Sequence, residues 1–99
     1  MNIENLKNKL KPKLVPFEIE GETVYIHRPT ARDIAKCDTV ERTIMYCTKD
    51  ENGDPIFADS DIDGRINVTA IDFIYQKQLY DAILAMATEA DKVDEMEKK

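Results

Sequence analysis

Tryptophan is absent from the 99 residues, and the chain has three Phe, three Gly, a single His (His27) and a single Ser (Ser60). Each shortage removes a class of chemistry. A lone His makes no His-His metal pair, and His27 together with Cys37 and Cys47 supplies too few ligands for a structural zinc. A Ser-His-acid arrangement would have to bring Ser60, in a loop, to His27, at the end of a strand, and no nucleophile elbow surrounds that Ser. Gly21, Gly53 and Gly64 are scattered, so no Gly-rich loop cradles phosphate. No apolar run approaches the roughly 18 residues of a membrane span. The first residues alternate charge with Ile3, Leu6 and Leu10 and do not form a secretory apolar core. The expectation is a non-enzyme with no cofactor and no metal, in a reduced cytoplasm and away from membranes.

Positive charge is scarce as well. The net charge is −6, and positions 50 to 63 hold Asp50, Glu51, Asp54, Asp59, Asp61 and Asp63 with no Lys or Arg among them. Phosphate backbones are gripped by cations that displace counterions, so nucleic acid is a poor partner for this chain. Lys7, Lys9, Lys11 and Lys13 crowd the N-terminus and read as the solvated face of a helix. Cys37 and Cys47 fall within one expected helix. Ten residues of helix rise about 15 Å, beyond the span of a disulfide, so both thiols are expected as small buried hydrophobes.

What is present has the order of an α+β domain: an N-terminal β-hairpin packed on two main α-helices, mostly helical. Residues 1–14 form a short helix or arm with a narrow stripe, Ile3, Leu6 and Leu10, ended by Pro12. Residues 15–90 form a single domain. Val15, Phe17 and Ile19 alternate on one face, and after Gly21 the alternation resumes with Val24 and Ile26, so 15–28 is a hairpin with Tyr25 and His27 on its exposed side. Pro16, lacking an N–H, places its strand at an edge. Thr30 followed by Asp33 has the pattern of a capping box, opening a helix over 31–47 whose buried stripe is Ile34, Cys37, Val40, Ile44 and Cys47.

Residues 48–63 carry turn chemistry, with Asn52-Gly53 and Asp54-Pro55 ahead of Ile56-Phe57, which return to the core. Asp50, Asn52 and Asp54 alternate like the first ligands of a calcium loop, but position 55 is Pro where the sharp-turn Gly belongs and position 61 is Asp where the closing Glu belongs. The segment is expected as a solvated turn. Thr69 and Asp72 repeat the capping pattern ahead of a helix over 70–90, and 91–99 form a charged tail expected to fray.

That last helix is apolar over a wide arc. Ile71, Ile74, Tyr75, Leu79, Ala82, Ile83, Met86 and Ala90 make a core stripe, and Phe73, Tyr80, Leu84 and Ala87 make a second one beside it. Either the hairpin and first helix clasp both stripes, or the second is left for another molecule. Phe73, Tyr80, Leu84 and Ala87 are therefore the candidate protein-interaction residues. With 34% charged residues and a core too thin to spare much, self-association through the same helix is expected.

The succession of a short hairpin, Arg28-Pro29-Thr30-Ala31-Arg32-Asp33-Ile34, a helix, Asp50-Glu51-Asn52-Gly53-Asp54-Pro55-Ile56-Phe57 and Asp59-Ser60-Asp61-Ile62-Asp63 resembles the tail assembly chaperones of long-tailed bacteriophages and prophages over about residues 15 to 88. In that family a strand ending in a basic residue leads into the first helix, and an Asp-x-x-Gly-x-x-x-Phe loop precedes an acidic stretch. The resemblance implies a protein without catalysis that binds the tape measure protein and assists assembly of the tail tube protein around it. It also implies a location in the host cytoplasm and absence from the mature virion. Two other classes stand beside it: a small virion structural subunit, such as a head-tail joining or tube protein, and an acidic regulatory protein-binding module with weak divalent-metal affinity.

Overall fold

The computed structural model describes the backbone of residues 1–97 and the side chains of residues 1–88. The hairpin forms because two alternating five-residue runs flank a tight reversal. Strand β1 (Val15–Ile19) pairs antiparallel with β2 (Glu22–Ile26), placing Phe17 opposite Val24 and Val15 opposite Ile26. The two turn residues, Glu20 and Gly21, both have positive φ, 48° and 80°, the geometry whose twist matches a two-residue hairpin. Strand β3 (Thr48–Lys49) adds to the other side of β2, so β1 is an edge and Pro16 interrupts no inner ladder.

The α+β class holds, with the hairpin at the N-terminal side and three α-helices among the described residues. Helix α1 (Ile3–Leu10) is capped by the Asn2 side chain, which accepts from the Asn5 N–H at 3.1 Å. None of its residues is buried. The expected helix over 31–47 is instead two pieces. Thr30 does accept from the Asp33 N–H at 3.2 Å, but it opens only a turn and a short 3₁₀ segment (Ile34–Lys36), and the chain breaks before α2 (Val40–Cys47). Thr39 is the true cap, in extended geometry with its hydroxyl accepting from the Arg42 N–H at 3.1 Å. Two capping residues compete within ten positions, and the second wins because it phases Ile44 and Cys47 fully into the core. Ile34 is thrown outward by the break and is 58% exposed, contrary to its place in the expected stripe.

The acidic segment is an organised turn. The Asp50 carboxylate accepts from the N–H groups of Asn52 and Asp54 at 2.8 and 2.9 Å, and Gly53 takes φ 85°. The chain then re-enters the core at Phe57 and Ala58, which form β4 (Phe57–Ala58) and pair in parallel with β5 (Ile66–Asn67).

Helix α3 (Phe73–Glu97) begins three residues later than expected, because Asp72 rather than Thr69 caps it, accepting from the Ile74 N–H at 3.0 Å. Thr69 is occupied elsewhere, its N–H and hydroxyl both donating to Asn67. The helix continues through Glu97 where a charged end after Ala90 was expected; residues 91–97 contain strong helix formers and neither Gly nor Pro. Lys98 and Lys99, and the side chain of Ala90, lie outside the described residues. Ile26, Ile44, Cys47, Phe57, Val68, Leu79 and Ile83 make the buried core, with α2 packed on α3.

Candidate protein-binding surface

Helix α3 divides its apolar residues unequally. Leu79 and Ile83 are 0% and 1% exposed and anchor the helix to α2 and the sheets. Phe73, Tyr80, Leu84 and Ala87 follow at intervals of seven, four and three residues, which keeps them on one stripe of a 3.6-residue helix. Phe73 is 72% exposed and Leu84 is 44% exposed, whereas Tyr80 is half-buried against the core and Ala87 is half-buried. The two alternatives for the second stripe are thus divided between its residues. Ile74, assigned to the core stripe by spacing, is 52% exposed, because the late start of the helix leaves its first turn beyond the body.

A second apolar surface has no counterpart in the sequence reading. Ile19 and Val24 of the hairpin, Ile56, Ile66 and Tyr75 line a cleft of about 220 Å³ floored by Phe57 and Leu79. Glu22 lines it too, and no Lys or Arg does. The Tyr75 hydroxyl donates to the Glu20 carboxylate at 2.7 Å across the same edge, which fastens α3 to the hairpin turn and holds the Tyr75 pKa above its usual value. The alternation of β1 and the period of α3 each hint at one wall. Their meeting is a long-range pairing that neither period reports.

His27 is buried, 6% exposed, where alternation placed it on the exposed face beside a half-buried Tyr25. The reason is β3: its neighbour Cys47 presents a carbonyl that accepts from the His27 N–H at 3.0 Å, so the end of β2 is drawn under α2. The ring Nδ1 lies 2.7 Å from the Arg28 carbonyl oxygen, to which it donates as the Nδ1–H tautomer, and burial pushes the imidazole pKa below its ordinary value. Beside it, the Lys49 ammonium donates to the Tyr46 carbonyl at 2.6 Å, and burial lowers its pKa. His27, Arg32, Tyr46, Lys49 and Asn52 border an open depression of about 480 Å³. Ser60 is exposed in the loop after β4. No hydrogen bond links it to His27 among the described residues.

The break before α2 also corrects the separation of the two cysteines. With the chain turned back at residues 37–39, Cys37 packs against the cluster that holds Cys47. Both are free. Burial, and then the neighbouring Cys37, pushes the Cys47 thiol up to about 12, so it stays a protonated core group at neutral pH. Among the described residues no group of three or more His, Cys, Asp or Glu side chains is arranged to hold a metal ion. No described helix is long and apolar enough to cross a membrane. Compared with known proteins, the chain matches no family model, no curated protein and no solved structure.

Proposed function

We propose that this chain is a non-catalytic protein-binding chaperone that lays the outer stripe of α3 along an amphipathic helix of its cargo. The observation that carries the reading is the exposure of Phe73 and Leu84, 72% and 44%, on one stripe of a helix whose adjacent side is anchored in the core by Leu79 and Ile83. A large aromatic and a branched aliphatic held outward on a rigid helix form a ready surface for helix-in-groove recognition. The acidic exterior, net charge −6, keeps a complex with an apolar cargo in solution. The motif order resembles that of phage tail assembly chaperones, and on that resemblance the proposed cargo is a tape measure protein, covered in the host cytoplasm until tail tube subunits enclose it and released before the virion is complete.

Co-expression with a tape measure protein from the same genome tests this. The wild-type chain is expected to carry the cargo into the soluble fraction, and the Phe73→Glu, Leu84→Glu double variant to lose most of that yield. Circular dichroism of the variant should stay helical, since neither side chain is buried. Equal cargo solubility with and without the substitutions would remove the α3 surface from the reading.

A further inference from the structure

Helix α1 stands apart from the core with its stripe uncovered. Ile3 is 70% exposed, Leu6 40% and Leu10 74%. With Pro12 and Thr30 the three border an open, nearly flat apolar surface near the open end of the hairpin, from which the α1 side chains stand out. Lys7, Lys9, Lys11 and Lys13 follow the same segment. At the opposite end of the hairpin, by the Glu20-Gly21 turn, lies the cleft of Ile19, Val24, Ile56, Ile66 and Tyr75, with Glu22 in its lining and Glu20 bonded to Tyr75 at its edge.

We infer that α1 of one copy of this chain docks on the cleft of a second copy, its apolar stripe across the mouth and its lysines against Glu20, Glu22 and Asp72. The two surfaces are complementary in both respects that matter. One is an apolar ridge flanked by cations; the other is an apolar hollow rimmed by anions and free of lysine and arginine. Ile3 to Leu10 spans about 10 Å of helix, a ridge that offers its side chains to a hollow of about 220 Å³. A copy that carries ridge and hollow at opposite ends makes a heterologous contact, so a bound pair still presents one free ridge and one free hollow. The contact uses neither Phe73 nor Leu84. It relocates self-association from α3, where spacing alone had put it, and it is independent of cargo.

Sedimentation velocity on the full chain tests the assignment with two variants. Leu6→Glu with Leu10→Glu breaks the ridge, and Glu22→Lys with Ile66→Lys breaks the hollow; all four positions are exposed, so circular dichroism should match wild type. Wild type is expected to sediment faster with rising concentration, and each variant to weaken association by about tenfold or more, as the loss of two apolar contacts dictates. Mixing the two variants should restore one intact contact and stop at a dimer, because the ridge-broken copy keeps its hollow and the hollow-broken copy keeps its ridge. Three results would overturn the inference: a monomeric wild type, including one whose α1 amides are protected by its own cleft; association abolished by Phe73→Glu and Leu84→Glu but not by the α1 variant; or a mixture that stays monomeric.

Discussion

Two buried polar side chains carry the sharpest residue-scale consequences. The Thr48 hydroxyl is fully buried and has no hydrogen-bond partner among the described residues. A donor and acceptor removed from water without compensation is destabilising, whereas an apolar group of the same shape is not. Thr48→Val is therefore expected to leave the urea midpoint unchanged or raise stability by about 1 kcal/mol; a loss of that size would mean that the hydroxyl is bonded. His27 responds to pH. Burial holds its folded pKa below the ordinary 6.5, the nearby Lys49 pushes the same way, and the Arg28 carbonyl and Asp33 oppose the shift. In the window below 6.5 the unfolded chain binds the proton first, so the contribution of neutral His27 is complete above that pH and is lost as pH falls toward the folded value. Urea midpoints at pH 7.5 and 5.5 should differ for wild type by more than for His27→Gln; equal differences would show that the ring titrates as freely folded as unfolded.

At the scale of elements, the first helical region is where local rules pointed two ways. Thr30 and Thr39 both accept from an N–H three residues on, at 3.2 and 3.1 Å. Only Thr39 caps an α-helix that reaches the core. Thr39→Ala is expected to cost about 1 kcal/mol, the usual value of a lost cap. Ile34→Glu, at a position 58% exposed, should stay within about 0.5 kcal/mol. A single helix over 31–47 with Ile34 in its buried stripe would reverse that order, and chemical denaturation of the two variants separates the cases. Helix α3 shows the same rule from the other side. Its start moved from 70 to Phe73 because Asn67 had already engaged Thr69, and that shift leaves Phe73 and Ile74 free of the body.

The whole molecule is polar in charge and thin in core. Residues 1–49 hold nine Lys and Arg against seven Asp and Glu, and residues 50–99 hold five against thirteen. The inferred α1-to-cleft contact depends on a narrower asymmetry: it sets Lys7, Lys9, Lys11 and Lys13 against Glu20 and Glu22, so it is expected to be stronger at low ionic strength and to weaken as salt screens the charges. Among the described residues, seven side chains carry the buried apolar cluster. A domain of this length has about 5–15 kcal/mol of stability in total, and Leu79, 0% exposed between α2 and the sheets, is irreplaceable within it. Leu79→Ala is expected to cost about 2–5 kcal/mol, which should lower the urea midpoint clearly. A loss below about 1 kcal/mol would show that the core collapses around the gap.

By itself the sequence determined what depends on neighbours in the chain. Alternation gave the hairpin and its core face, Pro16 gave the edge, Asn52-Gly53 and Asp54-Pro55 gave the turn, and the spacing of Leu79 and Ile83 gave the anchored side of α3. Its period also gathered Phe73, Tyr80, Leu84 and Ala87 onto one stripe. Tertiary structure decided the rest. Which of two threonines starts a helix depends on which phase buries Ile44 and Cys47; whether His27 is exposed depends on a carbonyl delivered by Cys47, twenty residues away. The approach of Cys37 to Cys47 required a break whose position no periodicity marks. The cleft exists only because the hairpin, β5 and α3 meet, joined by the bond from Tyr75 to Glu20 across 55 residues. Local propensity is worth tenths of a kcal/mol per residue, while burial of one large apolar side chain is worth about 1.5–3 kcal/mol. Where the two disagreed, burial prevailed.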